Sequence, residues 1–436
     1  MRTNTQRAVN FTHEGAPAKV INPEAQLRRT VMASLLWENT FYEDGTSVAD
    51  RVRQLVPLVG VEKVSQIAIE ARTDQRLRHM PLLLAREVAR IGKGKIVSET
   101  ISGVIQRPDE LCEFLSIYWL DGKVPLSAQV KKGLAKAFNK FNAYSLAKYN
   151  RDNAIKLRDV MFMCHAKPKE EQIEVFKQLA DGTLASPDTW EVGLSGGGDK
   201  KEVFTRLLSE NNLGYMALLR NLRNMKESGV DEDLVFSKLI GGAEYSKALP
   251  FRYISAAYAV PQWEHQIDQA MTLAMSKMDK LKGKTIVLVD VSGSMVGQKV
   301  SKRSEIDRLD AAAALAALVA GVAEKYEVYV FSDYIMPVPS RTGMALVDAI
   351  RNTQHRWTNL GGAVGAVNKI PHDRLIVITD EQSHTTVPDP VGRGYMINVA
   401  TYKNGVGYHK WTHIDGWSES VIKFIHEIEQ VQAIYE

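Results

Sequence analysis

Cysteine is nearly absent from this sequence. Only Cys112 and Cys164 occur among the 436 residues, which is too few for a disulfide framework or a cysteine-rich zinc site and favours a reducing compartment. The longest apolar run, residues 311–323, is too short to cross a bilayer. The first residues are polar and lack the apolar core of a signal peptide. We therefore expect a cytoplasmic protein without membrane contact.

A large net charge and the sequence marks of common enzymes are also missing. The chain has 55 Lys and Arg against 51 Asp and Glu, a formal charge of +4. Because this excess is small, evidence for a polyanionic partner has to come from local clusters. We find no HExxH motif, no GxxxxGK[ST] phosphate loop and no GxSxG elbow between a strand and a helix. We therefore predict no catalytic residues and no enzymatic activity.

The region from about residue 24 to residue 280 has the pattern of helices. Apolar residues recur three and four positions apart in segments such as VADRVRQLVPLV, VEKVSQIAIEA and MPLLLAREVARI, which is the period of an amphipathic helix. Many short helices joined by tight turns favour antiparallel pairs stacked as a solenoid. The sequence predicts an all-α domain over residues 1–280.

After Lys284 the pattern changes to short buried strands. The segments TIVLV, EVYVF, RLIVIT and YMINVA are apolar and do not alternate with polar residues, which is typical of strands buried on both faces. Helical segments separate them, namely DRLDAAAALAALVAGVAEKY, TGMALVDAI and GGAVGAVNKI, and SESVIKFIHEIEQVQAI reads as a closing helix. This alternation predicts a doubly wound α/β domain over residues 281–436, with helices on both faces of a parallel sheet.

Oxygen-bearing side chains follow two of these strands. Asp290, Ser292 and Ser294 occupy alternate positions on the loop that leaves the first strand, Asp380 ends RLIVITD, and Thr358 opens TNLGGAVGAV. In doubly wound sheets, ligands bind beyond the carboxyl ends of the strands, where the strand order reverses. Because this donor set contains oxygen and neither His nor Cys, we predict Mg²⁺ or another divalent cation such as Mn²⁺ rather than zinc.

The pattern Asp-x-Ser-x-Ser with a distant threonine and a distant aspartate resembles the metal-ion-dependent adhesion site of von Willebrand factor A domains. That family often has Gly-Gly-Thr around the threonine, whereas here Thr358 precedes the glycine pair by three residues. Thr353 and Thr379 therefore remain alternatives to Thr358. A second interpretation is that the loop only caps a helix, since Asp and Ser side chains accept from free N–H groups at helix starts.

A cluster of positive charge lies in the helical half. Residues 123–158 carry nine Lys or Arg and one acidic residue. Lys132, Lys136 and Lys140 are spaced four apart, which predicts a row of ammonium groups along one side of a helix. Like charges at this spacing repel by roughly a few tenths of a kcal/mol per pair, and a nucleic-acid partner would relieve that repulsion. The alternative is a solvated surface helix.

Six segments of the helical half resemble, in order, the TROVE module of the Ro ribonucleoprotein autoantigen and its bacterial orthologues. They are PLLLAREVAR, KGLAKAFNKFNAYSLAKY, KLRDVMFMCHAKP, TWEVGLSGGGDKKEVF, GYMALLRNLRNM and PFRYISAAYAV. The resemblance extends over nearly the whole chain, because a von Willebrand factor A domain follows the module in that family. It implies a monomeric ring of HEAT-like helical repeats over residues 1–280, joined to an A domain over residues 281–436.

The resemblance also implies a function. Members of the family bind small noncoding Y RNAs on an outer basic surface and accept single-stranded ends of misfolded RNAs in a central hole. In bacterial members the Y RNA can tether the ring to the exoribonuclease polynucleotide phosphorylase. The lysine and histidine that contact Y RNA in the family fall on Lys148 and His165. A contacting arginine falls within one position of Arg151, where Asp152 occupies the ungapped place.

These observations favour a noncatalytic RNA-binding protein that acts in RNA quality control or decay. One alternative is a protein-binding adaptor whose metal site captures a carboxylate of its partner. Another is an RNA-processing enzyme, which would need further carboxylates beside the metal.

Overall fold

The computed structural model describes residues 10–18, 21–33, 43–246, 248, 250–297, 299, 306–353, 357–400, 402–416 and 420–435. Its helices are α1 Pro23–Met32, α2 Gly45–Val59, α3 Val61–Thr73, α4 His79–Ile91, α5 Lys95–Val104, α6 Pro108–Tyr118, α7 Ala128–Phe138, α8 Ala143–Tyr149, α9 Leu157–Cys164, α10 Ile173–Asp181, α11 Trp190–Ser195, α12 Lys200–Ser209, α13 Tyr215–Ser228, α14 Glu232–Gly241, α15 Pro250–Ala259, α16 Glu264–Ser276, α17 Arg308–Val322, α18 Gly343–Arg351, α19 Leu360–Val367 and α20 Ser420–Tyr435. Its strands are β1 Leu281–Asp290, β2 Ala323–Phe331, β3 Ile335–Val338, β4 Arg374–Thr379, β5 Arg393–Asn398 and β6 Thr412–Asp415. None of the helices described is long and apolar enough to span a membrane.

The predicted fold class, helical repeats followed by a doubly wound α/β domain, is confirmed. The four predicted strands correspond to β1, β2, β4 and β5, whereas the short edge strands β3 and β6 were not predicted. The predicted helix DRLDAAAALAALVAGVAEKY is too long, because α17 ends at Val322. Ala323 to Tyr326 instead begin β2, where pairing with β1 replaces the helical hydrogen bonds.

The chain divides into two compact units. One consists of Ala49–Asp199, and the other joins Met1–Val48 to Lys200–Glu436. The second unit therefore contains the sheet together with helix α1 from near the start of the chain. The sheet itself begins at Leu281, while the predicted domain boundary between residues 280 and 281 stays a prediction.

The helices of unit Ala49–Asp199 pack as a solenoid. Helix α5 contacts α3 and α7, α7 contacts α9, and α4 contacts α6, so each helix packs on the second helix along, as in stacked two-helix repeats. At the contact between α5 and α7, a Cβ on Gly133 would lie 2.8 Å from the Cβ of Ile101 and 3.0 Å from the carbonyl oxygen of Ser98. The lack of a side chain at Gly133 thus permits this close approach.

The sheet has the strand order β3-β2-β1-β4-β5-β6, and only the β2–β3 pair is antiparallel. One face of β1 presents Ile286 and Leu288 to α19 in a buried cluster. Val287 and Val289 point to the opposite face and are also buried, and α17 contacts β1, β2 and β4. Helices therefore cover both faces, as the non-alternating strand sequences predict.

Candidate functional site

The candidate metal residues lie where the strand order of the sheet reverses. Strands β1 and β4 are neighbours at the centre, with β2 and β3 beyond β1 and with β5 and β6 beyond β4. Asp290 is the last residue of β1, and Asp380 directly follows the last residue of β4. Two carboxylates thus lie at the edge of the sheet where a doubly wound fold binds its ligands.

Hydrogen bonds connect four of the five predicted metal residues. The backbone N–H of Ser292 donates to Asp290 Oδ1 at 2.9 Å, and the hydroxyl oxygens of Ser292 and Ser294 are 3.2 Å apart. Ser294 Oγ donates to Asp380 Oδ2 at 2.5 Å. The tertiary structure therefore brings residues 290–294 and residue 380 together, although 86 positions separate Ser294 from Asp380.

The loop after β1 does not act as a helix cap. The turn that follows is a short 3₁₀ helix, Gly293–Met295, and the side chain of Ser292 makes no capping hydrogen bond to it. The hydroxyl of Ser294 donates to Asp380 instead. The capping interpretation of the Asp-x-Ser-x-Ser pattern therefore finds no support at Ser292, and the metal site stays a prediction.

The structure does not decide which of Thr353, Thr358 and Thr379 belongs to the predicted metal site. Thr358 is buried, and the next residue, Asn359, donates its backbone N–H to the Ser332 carbonyl just past the end of β2, so Thr358 lies at the same edge of the sheet. Thr379 Oγ1 donates to Asp290 Oδ2 at 2.6 Å. Thr353, two residues past the end of α18, donates its hydroxyl to the carbonyl of Ile350 in that helix. Thr379 is thus the threonine with a direct contact to a candidate ligand.

The electrostatics of this site suit a cation. Asp290 and Asp380 are both fully buried. Burial, and next the negative charge of Asp380, raise the pKa of Asp290 to about 7. A divalent cation would offset the repulsion between these carboxylates, and carboxylate and hydroxyl oxygens are donors that Mg²⁺ accepts. Within the described part of the chain, no group of three or more His, Cys, Asp or Glu could hold a metal, so the hydroxyls are essential to the predicted site.

A buried ionic cluster next to Asp380 was not predicted. Glu381 pairs with Arg29 of α1 and, at 2.8 Å, with Nε2 of His413 on β6, whose Nδ1 lies 3.3 Å from Asp415. Burial would raise the pKa of Glu381, but Arg29 and His413 lower it to about 2. Burial would lower the pKa of His413, but Asp415 and Glu381 raise it to about 10. No sequence pattern indicates this cluster, because Arg29, Glu381 and His413 are far apart along the chain.

All six predicted RNA-binding residues have solvent-accessible side chains, on neighbouring helices or just beyond their ends. Lys132 and Lys136 are exposed on α7, and Lys148 is half-buried in the last turn of α8. Arg151 is exposed just after α8, and the exposed His165 ends α9 in the left-handed conformation, with φ 52°. Because α7 contacts α9, and α6 contacts α7, α8 and α9, these residues lie on adjoining helices.

Lys140 differs from the prediction. Helix α7 ends at Phe138, so Lys140 lies beyond it and does not extend the row of Lys132 and Lys136. Its ammonium group donates to the carbonyl oxygens of Ser102 and, at 2.9 Å, Ile105, at the carboxyl end of α5. Burial lowers the pKa of Lys140. This lysine therefore caps a helix end, where a cation is favourable, and its contact with RNA stays a prediction.

Comparisons with known proteins find a similar domain and a similar fold. A family model described as the TROVE domain matches residues 181–327. The crystal structure of the Ro (Rsr) protein of Deinococcus radiodurans superposes with a TM-score of 0.62, at 16% identity, over 92% of this chain and 97% of that one. The family match covers about a third of the chain, and the structural match shows that the chain has the fold of that Ro protein.

Curated relatives match a shorter stretch of this chain. Telomerase protein component 1 of Mus musculus is 34% identical over 89 residues, and that of Rattus norvegicus is 33% identical over 89 residues. Each match covers 19% of this chain, which in turn spans 3% of the relative's length.

Proposed function

We propose that this TROVE-domain protein is a noncatalytic RNA-binding protein that acts in cytoplasmic RNA quality control or decay. The TROVE-domain match over residues 181–327 supports RNA as the ligand, and the acid-poor surface of α7, α8 and α9 supports this surface as the binding site. Phosphate contacts by Lys and Arg give affinity that depends on salt and tolerates many sequences. The combination of the TROVE match with this positive surface carries the proposal.

The outer basic surface would bind a small noncoding RNA of the Y type. Lys132, Lys136, Lys148 and Arg151 would contact phosphates, and His165 would contact the RNA from the end of α9. These side chains are exposed or half-buried, so they are accessible to a ligand. Double-stranded RNA is recognised largely by its shape and by its phosphates and 2′-hydroxyls, which fits a surface of dispersed cations.

The central opening that the Ro resemblance implies would accept single-stranded ends of misfolded or structured RNAs. In this proposal the protein is a monomer, and the bound Y-type RNA tethers it to a degradative exoribonuclease of the polynucleotide phosphorylase type. The protein would present RNA to that nuclease and would itself break no bond. Residues 193–197 do spell Gly-x-Ser-x-Gly, but they overlap the end of α11 rather than a strand-to-helix turn, so the sequence there does not make a nucleophile elbow.

The A-domain site would hold Mg²⁺ through Asp290, Ser292, Ser294, Asp380 and a threonine, either Thr358 or Thr379. The bound cation would offer an open coordination position to an acidic side chain of a protein partner. The exposed Trp357, with 75% of its surface accessible, directly precedes Thr358 and could pack against such a partner. This observation favours a second function, capture of a partner carboxylate, beside RNA binding.

A gel-shift titration tests the RNA-binding proposal. The probe is a structured small RNA with a single-stranded tail, measured at several salt concentrations against wild type, Lys148→Ala with His165→Ala, and Lys93→Ala as the control on an exposed lysine between α4 and α5. We expect the double variant to lose at least about tenfold in affinity and the control to lose less than twofold. Equal affinity of the double variant and wild type would show that the RNA site is misplaced.

A nuclease assay tests the noncatalytic part of the proposal. Labelled RNA is incubated with the protein in Mn²⁺, with and without Asp290→Ala. We expect no cleavage in either sample. Cleavage that disappears with Asp290→Ala would instead support an RNA-processing enzyme.

A further inference from the structure

The loop that carries Asp380 is covered by the beginning of the chain. Asp380, Glu381, Gln382 and Ser383 have no exposed surface. The covering segment consists of residues 10–18 and 21–33, which we call the N-terminal strap. The strap belongs to the same compact unit as the sheet, and its Ala16 lies inside the hydrophobic cluster between the sheet and α19.

The first part of the strap binds the end of this loop through three hydrogen bonds. Thr12 Oγ1 and the N–H of Ala16 both donate to the carbonyl oxygen of Ser383, at 2.6 Å and 3.0 Å. The N–H of His13 donates to Gln382 Oε1 at 2.7 Å. The strap thus fixes Gln382 and Ser383, two and three residues after Asp380.

The second part of the strap binds Glu381, the residue next to Asp380. The fully buried guanidinium of Arg29 donates to the Glu381 carboxylate and, at 2.6 Å, to the carbonyl of Tyr402. Glu381 has φ 59°, a left-handed conformation that is unusual for a residue with a side chain. Because the Arg29 pair and the His413 pair hold the Glu381 side chain, they stabilise this backbone conformation.

Gly405 and Gly407 permit the close packing of the Arg29–Glu381 ion pair because they have no side chain. A Cβ on Gly405 would clash with the Glu381 carboxylate and with the Arg29 guanidinium, and a Cβ on Gly407 would clash with the same carboxylate. The segment that carries these glycines closes over Glu381, and Asn404 of that segment donates its side-chain amide to the carbonyl of Phe11 at 2.8 Å. The strap, the loop after β4 and residues 402–407 therefore form one packed assembly.

We propose that the N-terminal strap is a positioning element of the metal site, so that docking of the strap and binding of the cation are coupled. Glu381 is adjacent to Asp380, whose carboxylate accepts from Ser294, so release of Arg29 frees the backbone that orients a metal ligand. Coupling of two binding events is reciprocal. The undocked strap weakens cation binding, and the bound cation in turn stabilises the docked strap. This inference rests on the metal site in the proposed function.

Calorimetric titration of the full chain with Mn²⁺ tests the inference. The variants are Arg29→Met, Thr12→Val and the control Arg28→Met, which changes the neighbouring residue of α1, whose guanidinium pairs with Glu24 on the same helix. We expect affinity about tenfold lower for Arg29→Met, roughly two- to fivefold lower for Thr12→Val, and within twofold of wild type for Arg28→Met. Circular dichroism verifies that each variant is folded. If Arg29→Met does not fold, Thr12→Val still tests the coupling, because it leaves the ionic cluster intact.

Hydrogen exchange tests the coupling in the wild-type protein, without any substitution in the strap. Addition of Mn²⁺ should slow amide exchange in residues 10–18 and 21–33 of wild type and should have no such effect in Asp290→Ala. If both strap variants bind Mn²⁺ with wild-type affinity, or if Mn²⁺ does not change amide exchange in the strap, the coupling is wrong but the metal site is not affected. Failure of wild type to bind Mn²⁺ in a manner that Asp290→Ala abolishes would overturn the metal site itself.

Discussion

The hydroxyl of Ser294, on the loop after β1, donates a 2.5 Å hydrogen bond to the carboxylate of Asp380, on the loop after β4. This contact joins the two loops at the point where the strand order of the sheet reverses. It places a hydroxyl, rather than a cationic side chain, against a buried carboxylate. The neighbouring Asp290 is buried as well, so two carboxylates lie together at the position where we propose that a divalent cation binds.

Cation binding should stabilise the protein most above neutral pH. The pKa of Asp290 is raised to about 7 by burial and by Asp380, so its ionisation costs stability as the pH rises from about 4 to about 7. A bound cation removes that cost only where the carboxylate is ionised. We expect Mg²⁺ to raise the melting temperature clearly at pH 8 and only slightly at pH 5, as measured by scanning calorimetry.

The neutral variant Asp290→Asn is the control for this pH dependence. It should show no melting shift with Mg²⁺ at either pH. A shift of equal size at pH 5 and pH 8 in wild type would contradict the assignment of Asp290 as a ligand.

Substitution of Lys140 and of Lys132 should have opposite profiles: the first should mainly lower stability, and the second should mainly lower RNA affinity. Lys140→Ala removes hydrogen bonds from an ammonium group to Ser102 and Ile105 and should lower the free energy of unfolding by about 1–2 kcal/mol. Lys132→Ala changes an exposed residue and should alter stability by less than about 0.5 kcal/mol, while it weakens RNA binding. Urea denaturation and gel shifts measure the two effects.

Loss of the Glu381 charge should destabilise the A domain. Glu381→Gln leaves the fully buried Arg29 without its carboxylate, and the removal of one partner of a buried ion pair costs roughly 3–5 kcal/mol. Denaturant unfolding measures the difference from wild type. If Glu381→Gln were as stable as wild type, the ionic cluster would contribute nothing to the fold.

The pH dependence of that difference follows from the two shifted groups. The pKa of Glu381 is lowered to about 2, so its contribution is complete above the ordinary glutamate pKa and is lost as the pH falls towards 2. The pKa of His413 is raised to about 10, so its contribution is complete below the ordinary histidine pKa and is lost as the pH rises towards 10. The stability difference between wild type and Glu381→Gln should therefore be largest at about pH 5–6.

Addition of a methyl group at Gly133 should destabilise the helical solenoid. The new Cβ would lie 2.8 Å from the Cβ of Ile101, and neither backbone can yield without moving α5 from α7. Gly133→Ala should cost about 1–2 kcal/mol, because strain of this kind exceeds the gain in helix propensity. Gly365→Ala on α19, where a Cβ meets no atom within 4 Å, should be neutral or slightly stabilising, and thermal melts of both variants decide.

The hydrophobic pattern was sufficient to predict the main helices and strands, and to predict that helical repeats precede the α/β domain. Buried strands such as RLIVIT stand out because both of their faces are covered, and amphipathic helices stand out through their period. The edge strand Ile335–Val338 was missed because it has four residues, only one of them buried. Lys140 was misplaced because its charge spacing suggests a longer α7, whereas the helix ends where Asn139 caps it.

The sequence by itself determined the fold class, the carboxylate and hydroxyls of residues 290–294, and the acid-poor character of residues 123–158, because these properties depend on residues close together along the chain. Only the tertiary structure decided that Asp380 meets Ser294, that Thr379 contacts Asp290, and that Arg29 pairs with Glu381 across 352 positions. Contacts of this kind depend on which strands become neighbours and on where the first helix packs. Neither can be predicted from the pattern of residues close together along the chain.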